Sequence, residues 1–270
     1  MTSATSTNIC LIIEYKGAAF HGWQKQAPEQ GLRTVQSALE DVLRTVLRCE
    51  IGELTTAGRT DAGVHARAQV VNFKVERSLE ELPEMRVLSH AVSNILRGEL
   101  SVLRAMPVSA DFNARRDAIS KQYSYLMLLR PSPAVLDRGY AWHISAELDL
   151  ELMRREASQL LGKQDFRSFQ GAYCQAKSTE REILESELIY DPPYLTYRVV
   201  GTGFLKQMVR NIVGTLAGLG KGRLKYATIG EILQQRDRKA AGVTAPAFGL
   251  YMDWVRYQGF SSAEACFTKI

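Results

Sequence analysis

The chain has 270 residues, of which 46% are hydrophobic and 23% charged, a mix typical of globular proteins with a large core in one or two compact domains. No apolar run approaches the ~20 residues of a membrane-spanning helix, and residues 1–7 lack a signal-peptide pattern, so we expect a cytoplasmic protein without a membrane partner. The four cysteines and four histidines are scattered without the spacing of metal ligands, so we expect no metal.

The net charge of +5 belongs to the second part of the chain. Residues 1–110 carry twelve basic and twelve acidic side chains, whereas residues 111–270 carry twenty-two and seventeen. From Arg198 to Lys225 there are six basic side chains and no acidic one. This basic block fits either a solvated face or a surface that binds phosphates.

The first elements follow from apolar patterning. Residues 9–15 form a β-branched apolar run that predicts a buried strand. The loop after it, residues 16–24, holds three aromatic rings that either fill the edge of the core, which is the default, or stack on bases. Thr34 offers an N-cap, and apolar residues at helical spacing predict a helix that continues to Leu47. The next patterns predict a strand over 69–75, a helix over 87–96, and a strand over 100–106 that Pro107 closes.

A similar unit begins near residue 110. Its patterns predict a strand over 120–129, a helix over 148–161, a hairpin of strands 182–190 and 194–201, helices over 204–219 and 228–236, and a strand over 250–257. The order of elements indicates two α+β halves with sheets that join or pack closely. We predict a disordered tail over residues 1–8, an N-terminal half over 9–108 and a C-terminal half over 109–270.

One loop between predicted elements carries a candidate for chemistry. Residues 57–66 read Ala-Gly-Arg-Thr-Asp-Ala-Gly-Val-His-Ala, and the two glycines, Gly58 and Gly63, favour a tight loop that feeds a strand. Asp61 then lies at the loop tip, with Arg59 two residues before it. From the residues alone, Asp61 is a nucleophile, a general base, a metal ligand or a salt-bridged structural residue.

Residues 58–65 resemble the signature loop of the TruA-type tRNA pseudouridine synthases. Further stretches from Tyr15 to Tyr251 match this family in its own order: residues 15–17 with 22–24, 33–36, 112–115, 121–125, 165–169, 208–214 and 245–251. Two positions depart from the family pattern. Lys16 stands where an acidic residue is usual, and Gln122 replaces a common arginine, so contacts to the RNA backbone are the feature these changes put in doubt.

The resemblance implies a fold and a reaction. The fold is α+β, with two RRM-like (ferredoxin-like) halves, a joined and mainly antiparallel sheet, helices on one face and an active-site cleft between the halves. The reaction is isomerisation of uridine to pseudouridine at positions 38, 39 and 40 in the anticodon stem-loop of tRNA. It needs no cofactor and no metal. The resemblance also implies a homodimer.

The resemblance assigns roles to individual residues. Asp61, on the N-terminal half, is the nucleophile that acts on a flipped-out uridine, and Arg210 keeps its carboxylate charged. Tyr123 packs on the uracil and is a candidate to take the C5 proton. Arg59 contacts the phosphate backbone beside the flipped nucleotide or helps to extrude the base. In the basic block, which includes the RNA-binding helix of the C-terminal half, Lys206 and Arg198 bind phosphates.

Two other functions are compatible with parts of the sequence. The same basic face suits a non-catalytic tRNA-binding or chaperone module. Residues 58–63 resemble a phosphate cradle of a nucleotide-binding protein, but they lack the Gly-Lys-Ser/Thr ending that such loops use.

Overall fold

A computed structural model of the chain describes residues 6–26 and 31–267, which form an α+β protein. In chain order the elements are β1 (Thr7–Tyr15), α1 (Val35–Leu47), β2 (Thr55–Thr56), β3 (His65–Val75), α2 (Met85–Ile95), β4 (Leu100–Val108), β5 (Ser120–Leu129), β6 (Trp142–Ile144), α3 (Leu150–Ser158), β7 (Gly162–Asp165), β8 (Glu180–Asp191), β9 (Tyr194–Gly201), α4 (Met208–Gly220), α5 (Ile229–Gln235), β10 (Leu250–Tyr257), β11 (Phe260–Ser261) and α6 (Ser262–Phe267). Short 3-10 helices cover Gly17–Ala19, Leu79–Glu81, Arg167–Phe169, Arg238–Ala240 and Ala247–Gly249. In the described part of the chain, no helix has the length and apolar character needed to cross a bilayer.

The chain forms two compact units, and their division differs from the predicted boundary after residue 108. Unit 1 runs to Ile119 and takes in the chain again from Met252, and unit 2 comprises Ser120–Tyr251. Buried hydrogen bonds explain why the late segment belongs to unit 1. The Tyr257 hydroxyl donates to the Ala114 carbonyl at 2.7 Å, and the Ser262 hydroxyl donates to the Ala68 carbonyl at 2.8 Å.

Unit 1 is built on a sheet with the strand order β4-β1-β3-β10, in which β1 is antiparallel to both of its neighbours. The predicted apolar run forms β1, and the side chains of Ile9–Ile13 are completely buried. Helix α2 packs on β4, and α1 packs on α2. The two short strands β2 and β11 pair with β3 and β10.

Three predicted ends of strands in unit 1 are wrong: the starts of β1 and β3 and the end of β4. Strand β1 begins at Thr7, so residues 7 and 8 are not part of a tail; residues 1–5 lie outside the described residues. The buried Asn8 amide donates to the carbonyls of Ser109 and Phe112 at 2.9 and 3.0 Å, which holds this end of the strand in place. Strand β4 continues through Pro107 to Val108. It tolerates a proline because it is an edge strand.

Unit 2 has the strand order β5-β9-β8-β7, with antiparallel pairs, and β6 is parallel to β5. Helix α3 packs on α4 and β8, and α4 packs on β5. The predicted helix over 204–219 is wrong at its start: α4 begins at Met208, because Gln207 has a left-handed backbone with φ of 59°. The predicted helix over 148–161 is shorter, Leu150–Ser158. Both units confirm an α+β fold with mainly antiparallel strands.

Helix α1 begins at the predicted N-cap. The Ser37 amide donates to the Thr34 hydroxyl at 3.2 Å, and the Thr34 amide donates to the Ser37 hydroxyl at 3.0 Å, which completes a capping box. Thr34 is completely buried. The start of the helix also contacts the 16–24 loop, because the amide of Val35 donates to the Gly22 carbonyl at 3.1 Å.

Replacing Thr34→Ala is expected to lower the free energy of unfolding by about 0.5–2 kcal/mol, since one amide of the first turn loses its acceptor. Urea denaturation measures the change. Thr45→Ala is the matched control, because the Thr45 hydroxyl is exposed and only bonds back to the Asp41 carbonyl on the same helix. We expect it to be neutral or slightly stabilising. Equal losses for both variants would contradict the capping role.

Candidate active site

The loop of Asp61 connects β2 to β3 in unit 1 and has the predicted tight geometry. Gly63 has a left-handed backbone with φ of 82°, and the Val64 amide donates to the Asp61 carbonyl at 3.1 Å. Asp61 is half-buried, whereas Arg59 is exposed. The strand after the loop starts at His65, four residues before the predicted start at Gln69.

Two residues just before the candidate carboxylate, Gly58 and Thr60, are hydrogen-bonded to the core. Thr60 shares a buried 2.8 Å hydrogen bond between its hydroxyl and that of Tyr15, and its carbonyl accepts from the Trp23 amide at 3.0 Å. The carbonyl of Gly58 accepts from the Gln69 side chain at 2.7 Å. Burial raises the pKa of Tyr15 to about 12, against the smaller lowering effect of its hydrogen bonds with Thr60 and Gln69. Tyr15 therefore stays protonated at neutral pH and keeps its bond to the loop.

The glycines of the 16–24 loop allow close backbone contact with the Asp61 loop. A Cβ on Gly17 would lie 2.3 Å from the Val64 carbonyl oxygen, so no larger residue fits there. Gly22 has φ of 87°, and a Cβ there would lie 3.1 Å from the Ala62 nitrogen and from the Thr60 oxygen. The sequence predicted a loop here, but only the structure shows that its glycines form a surface for backbone contact.

The two large aromatic side chains of that loop belong to the core. Phe20 and Trp23 are buried, and their ring centroids each lie 6.4 Å from that of Tyr15. The default expectation that these rings fill the core is confirmed for both. His21 is exposed.

In unit 2, the candidate Tyr123 is a largely buried residue of β5. Its side chain is 8% exposed, and its ring packs edge-on against Phe204 at a centroid distance of 5.1 Å. Tyr123 is directly opposite Val199 in the pairing of β5 with β9. Paired residues share a face of the sheet, so Tyr123 and Val199 point the same way.

Arg198 lies on the other face of that sheet. It pairs with Ser124, and successive residues of a strand point to opposite faces, so the structure does not bring Arg198 to the face of Tyr123. Its guanidinium forms an ion pair with Glu187, its partner across β8 and β9. Lys206, in contrast, is exposed just before α4.

Arg210 is in the first turn of α4, and the turn around residues 245–246 fixes it. Its Nε–H donates to the Ala245 carbonyl at 2.8 Å, and the Ala245 amide donates to the Arg210 carbonyl at 3.1 Å. The Tyr125 hydroxyl donates to the Pro246 carbonyl at 2.8 Å. Burial raises the pKa of Tyr125, and the charge of Arg210 opposes that rise, so the guanidinium and the phenol are within electrostatic reach of each other.

A polar network that sequence patterns missed holds the same turn. Arg238 donates to the side chains of Asn211 and Thr244, both at 3.0 Å, and to the Gly242 carbonyl at 2.8 Å. Asn211 is completely buried and donates to the Phe169 carbonyl at 2.8 Å. The local sequence offers only a run of small residues after Arg238, and that run does not indicate that Arg238 contacts α4.

The described residues offer no grouping of three or more His, Cys, Asp or Glu side chains that could hold a metal ion. That the protein works without a metal or a cofactor stays a prediction.

Comparison with known proteins gives consistent matches. A family model for tRNA pseudouridine synthase matches residues 157–258. A protein named tRNA pseudouridine synthase A from Geobacter sp. (strain M21) is 38% identical over 251 residues, which are 93% of this chain and 98% of that protein. Proteins of the same name from Acetivibrio thermocellus and Methylobacterium nodulans are each 40% identical, over 93% and 92% of this chain and 99% and 94% of those proteins.

Among solved structures, one chain in "Crystal Structure of a Cbf5-Nop10-Gar1 Complex" matches at 12% identity, with 78% of this chain and 54% of that chain covered. Its TM-score of 0.31 is too low to bear on the fold.

The close contact at Gly17 predicts a test of how the Asp61 loop is held. Gly17→Ala places a methyl group against the Val64 carbonyl, and such overpacking is expected to cost about 1–3 kcal/mol of unfolding free energy in urea titrations. Hydrogen exchange at the Val64 amide should accelerate, because the loop must shift. The exposed neighbour provides the control: Ala18→Ser should stay within about 0.5 kcal/mol. Unchanged stability and exchange in Gly17→Ala would show that the contact is unimportant.

Proposed function

The chain belongs to the tRNA pseudouridine synthase A family and isomerises uridine to pseudouridine in tRNA; we propose that it acts at positions 38, 39 and 40 of the anticodon stem-loop, with Asp61 as the nucleophile. The observation that carries the function is the 38–40% identity to proteins of that name over more than nine-tenths of the chain. The alternative of a non-catalytic tRNA-binding module is disfavoured, because these relatives are named as synthases and the chain aligns with almost their whole length.

The reaction explains why one carboxylate suffices. The bond from the ribose C1′ to N1 of uracil breaks, the base turns, and a new bond forms from C1′ to C5. The C5 carbon loses a proton and N1 gains one, so atoms and electrons balance without an oxidant, a reductant or water. A glycosidase needs a second carboxylate because it must handle water as well as a leaving group. Here a single ionised Asp61 attacks covalently, at the base or at the sugar.

The geometry of unit 1 supports Asp61 in this role. Thr60 is bonded to Tyr15 and Trp23, and Gly58 is bonded to Gln69, so the backbone around the carboxylate is held from the core side. A reacting group gains most from a fixed position, because a misplacement of about 1 Å can cost about 100-fold in rate. A half-buried carboxylate is also partly shielded from water, which would otherwise compete with the detached base for the ribose C1′.

The partner proposed to keep Asp61 charged is Arg210. A nearby guanidinium favours the ionised form of a carboxylate and opposes the effect of burial. The bond from its Nε–H to Ala245 orients the plane of the guanidinium, and a fixed plane suits bidentate recognition of a carboxylate. We also propose that Tyr123 packs on the flipped uracil and takes the C5 proton.

The remaining proposed contacts are to phosphates. Arg59 and Lys206 are exposed basic side chains that can reach the RNA backbone. Arg198 contributes at most from the sheet face opposite to Tyr123, and its ion pair with Glu187 would first have to open. A cytoplasmic location, a homodimer, RRM-like halves with a joined sheet and a cleft between them remain proposals from the resemblance; light scattering of the pure protein tests the dimer.

Asp61→Asn is expected to reduce pseudouridine formation by at least about 1,000-fold, since the amide cannot act as a nucleophile, while tRNA binding stays near wild type. Tritium release from tRNA labelled at C5 of uridine measures turnover, and mapping of pseudouridine in the same tRNA locates the modified positions. Asp41→Asn, at an exposed position of α1, is the control and should keep full activity. Isomerisation that survives in Asp61→Asn would end the nucleophile assignment.

Tyr123→Phe separates the two duties proposed for that tyrosine. The variant keeps the ring, and therefore the stacking, but loses the hydroxyl. If the hydroxyl carries the C5 proton, turnover should fall by about 100-fold or more with little change in the affinity for tRNA. Full tritium release would exclude the proton-transfer role and leave only packing on the base.

A further inference from the structure

A loop of unit 2 that the mechanism does not use presents an aromatic side chain to solvent. Residues 170–179 connect the 3-10 helix Arg167–Phe169 to β8, and both ends of this loop are anchored. The Gly171 amide donates to the Lys206 carbonyl at 2.8 Å, and the Phe166 amide donates to the Thr179 carbonyl at 3.0 Å. A Cβ on Gly171 would lie 2.5 Å from the Gln207 side-chain oxygen, so the loop and the start of α4 are in close contact.

Tyr173 is at the tip of this anchored loop, and its side chain is 94% exposed. The other exposed tyrosines of unit 2 are much less so, Tyr140 at 37% and Tyr190 at 40%. Tyr173 also has a left-handed backbone, with φ of 57°, a conformation that is unfavourable for residues with a Cβ. A strained backbone persists only where its surroundings hold it, and such positions cluster at functional sites, so the conformation of Tyr173 is a reason to ask what its ring binds.

The residue after Tyr173 lies close to the anchored part of the loop. Burial raises the pKa of the Cys174 thiol, whereas the Gln170 side chain and the backbone of Lys206 and Ala176 lower it, so these groups lie near the thiol. Because both ends of the loop are hydrogen-bonded, Tyr173 is presented on an anchored backbone, which reduces the cost of ordering the loop when a ligand binds.

The charge around the loop is mainly basic. Lys177 and Lys206 are exposed, and the guanidinium of Arg181 lies within electrostatic reach of the Cys174 thiol. Arg181 donates to the carbonyls of Ser178 and Glu180 at 3.0 and 2.5 Å, so it also secures the base of the loop. An exposed ring among cations is the combination that binds single-stranded nucleic acid, in which bases stack on the ring and phosphates meet the cations.

We propose that Tyr173 stacks on an unpaired base of the bound tRNA, with Lys177 and Lys206 on the adjacent phosphates. The site lies on a separate loop from the residues proposed for the chemistry, so it acts in substrate binding. This inference rests on the proposed function, because it takes tRNA as the substrate.

Filter binding of an unmodified tRNA transcript tests the stacking. Tyr173→Ala should raise the Kd by about 5- to 150-fold, the loss expected when one stacked base loses its ring. Tyr173→Phe and Tyr173→Trp keep a ring and should stay within about 2-fold of wild type. Tyr190→Ala, at another exposed tyrosine of unit 2, is the matched control and should bind as wild type does.

The salt dependence separates stacking from charge. In a plot of log K against log salt, Tyr173→Ala should give a line parallel to that of wild type, whereas Lys206→Ala should reduce the slope by about one. A shallower line for Tyr173→Ala would overturn the stacking role, and so would a Kd equal to that of wild type.

Protection from nitration provides a second readout on the unmutated protein. Tetranitromethane should modify Tyr173 readily, and saturating tRNA should protect it, whereas an RNA duplex without unpaired bases should not. Equal reactivity with and without tRNA overturns the inference alone, provided that the wild type binds tRNA and releases tritium. A wild type that does neither overturns the proposed function as well, so the two failures are distinguishable.

Discussion

The position of Asp61 depends on a buried hydrogen bond between two hydroxyl groups. Thr60 precedes the carboxylate, and its side chain is bonded to Tyr15 at the end of β1. A hydroxyl without a partner in the core would cost about 1–3 kcal/mol, so both groups are strongly held together. Since burial raises the pKa of Tyr15 to about 12, the phenol stays protonated at neutral pH and ionisation does not break this bond. The loop is therefore held by β1, a strand whose side chains are almost all buried.

In unit 2, hydrogen bonds likewise fix the position of Arg210. Arg210 is bonded to Ala245, and the turn around Ala245 is held by Arg238 and Asn211. Here a guanidinium and a buried amide form the hydrogen bonds, in place of two hydroxyls. Hydrogen bonds that involve a charged group are stronger than those between neutral groups. In both units, polar groups that would be unfavourable in the core without a partner form hydrogen bonds that fix a loop beside a candidate residue. The helices and strands supply the anchors, and the loops supply the chemistry.

Elements with strong local signals were predictable from the sequence. Strands β5 and β10 have the predicted bounds, and α1 begins after its predicted cap, because apolar runs, periodicity and Thr34 act over a few residues. Features that depend on distant partners were not predictable. The pairing of Arg198 with Glu187 follows from strand register, and the contacts of Arg238 follow from how a late turn packs on α4. The family motifs indicated Asp61, Tyr123 and Arg210, but no pattern indicated which backbone atoms hold them.

The return of the chain to unit 1 has a consequence for biosynthesis. Strand β10 is the fourth strand in the order β4-β1-β3-β10 of the unit 1 sheet. The ribosome nevertheless makes its residues from Met252 onward after the whole of unit 2. Until then the part of β3 that its short pairing with β2 does not cover is an open edge, where unpaired amides and carbonyls invite pairing with other chains. Unit 2 is continuous and can complete its sheet first. The first segment synthesised is thus among the last to finish folding, and it is the one that a chaperone would have to guard.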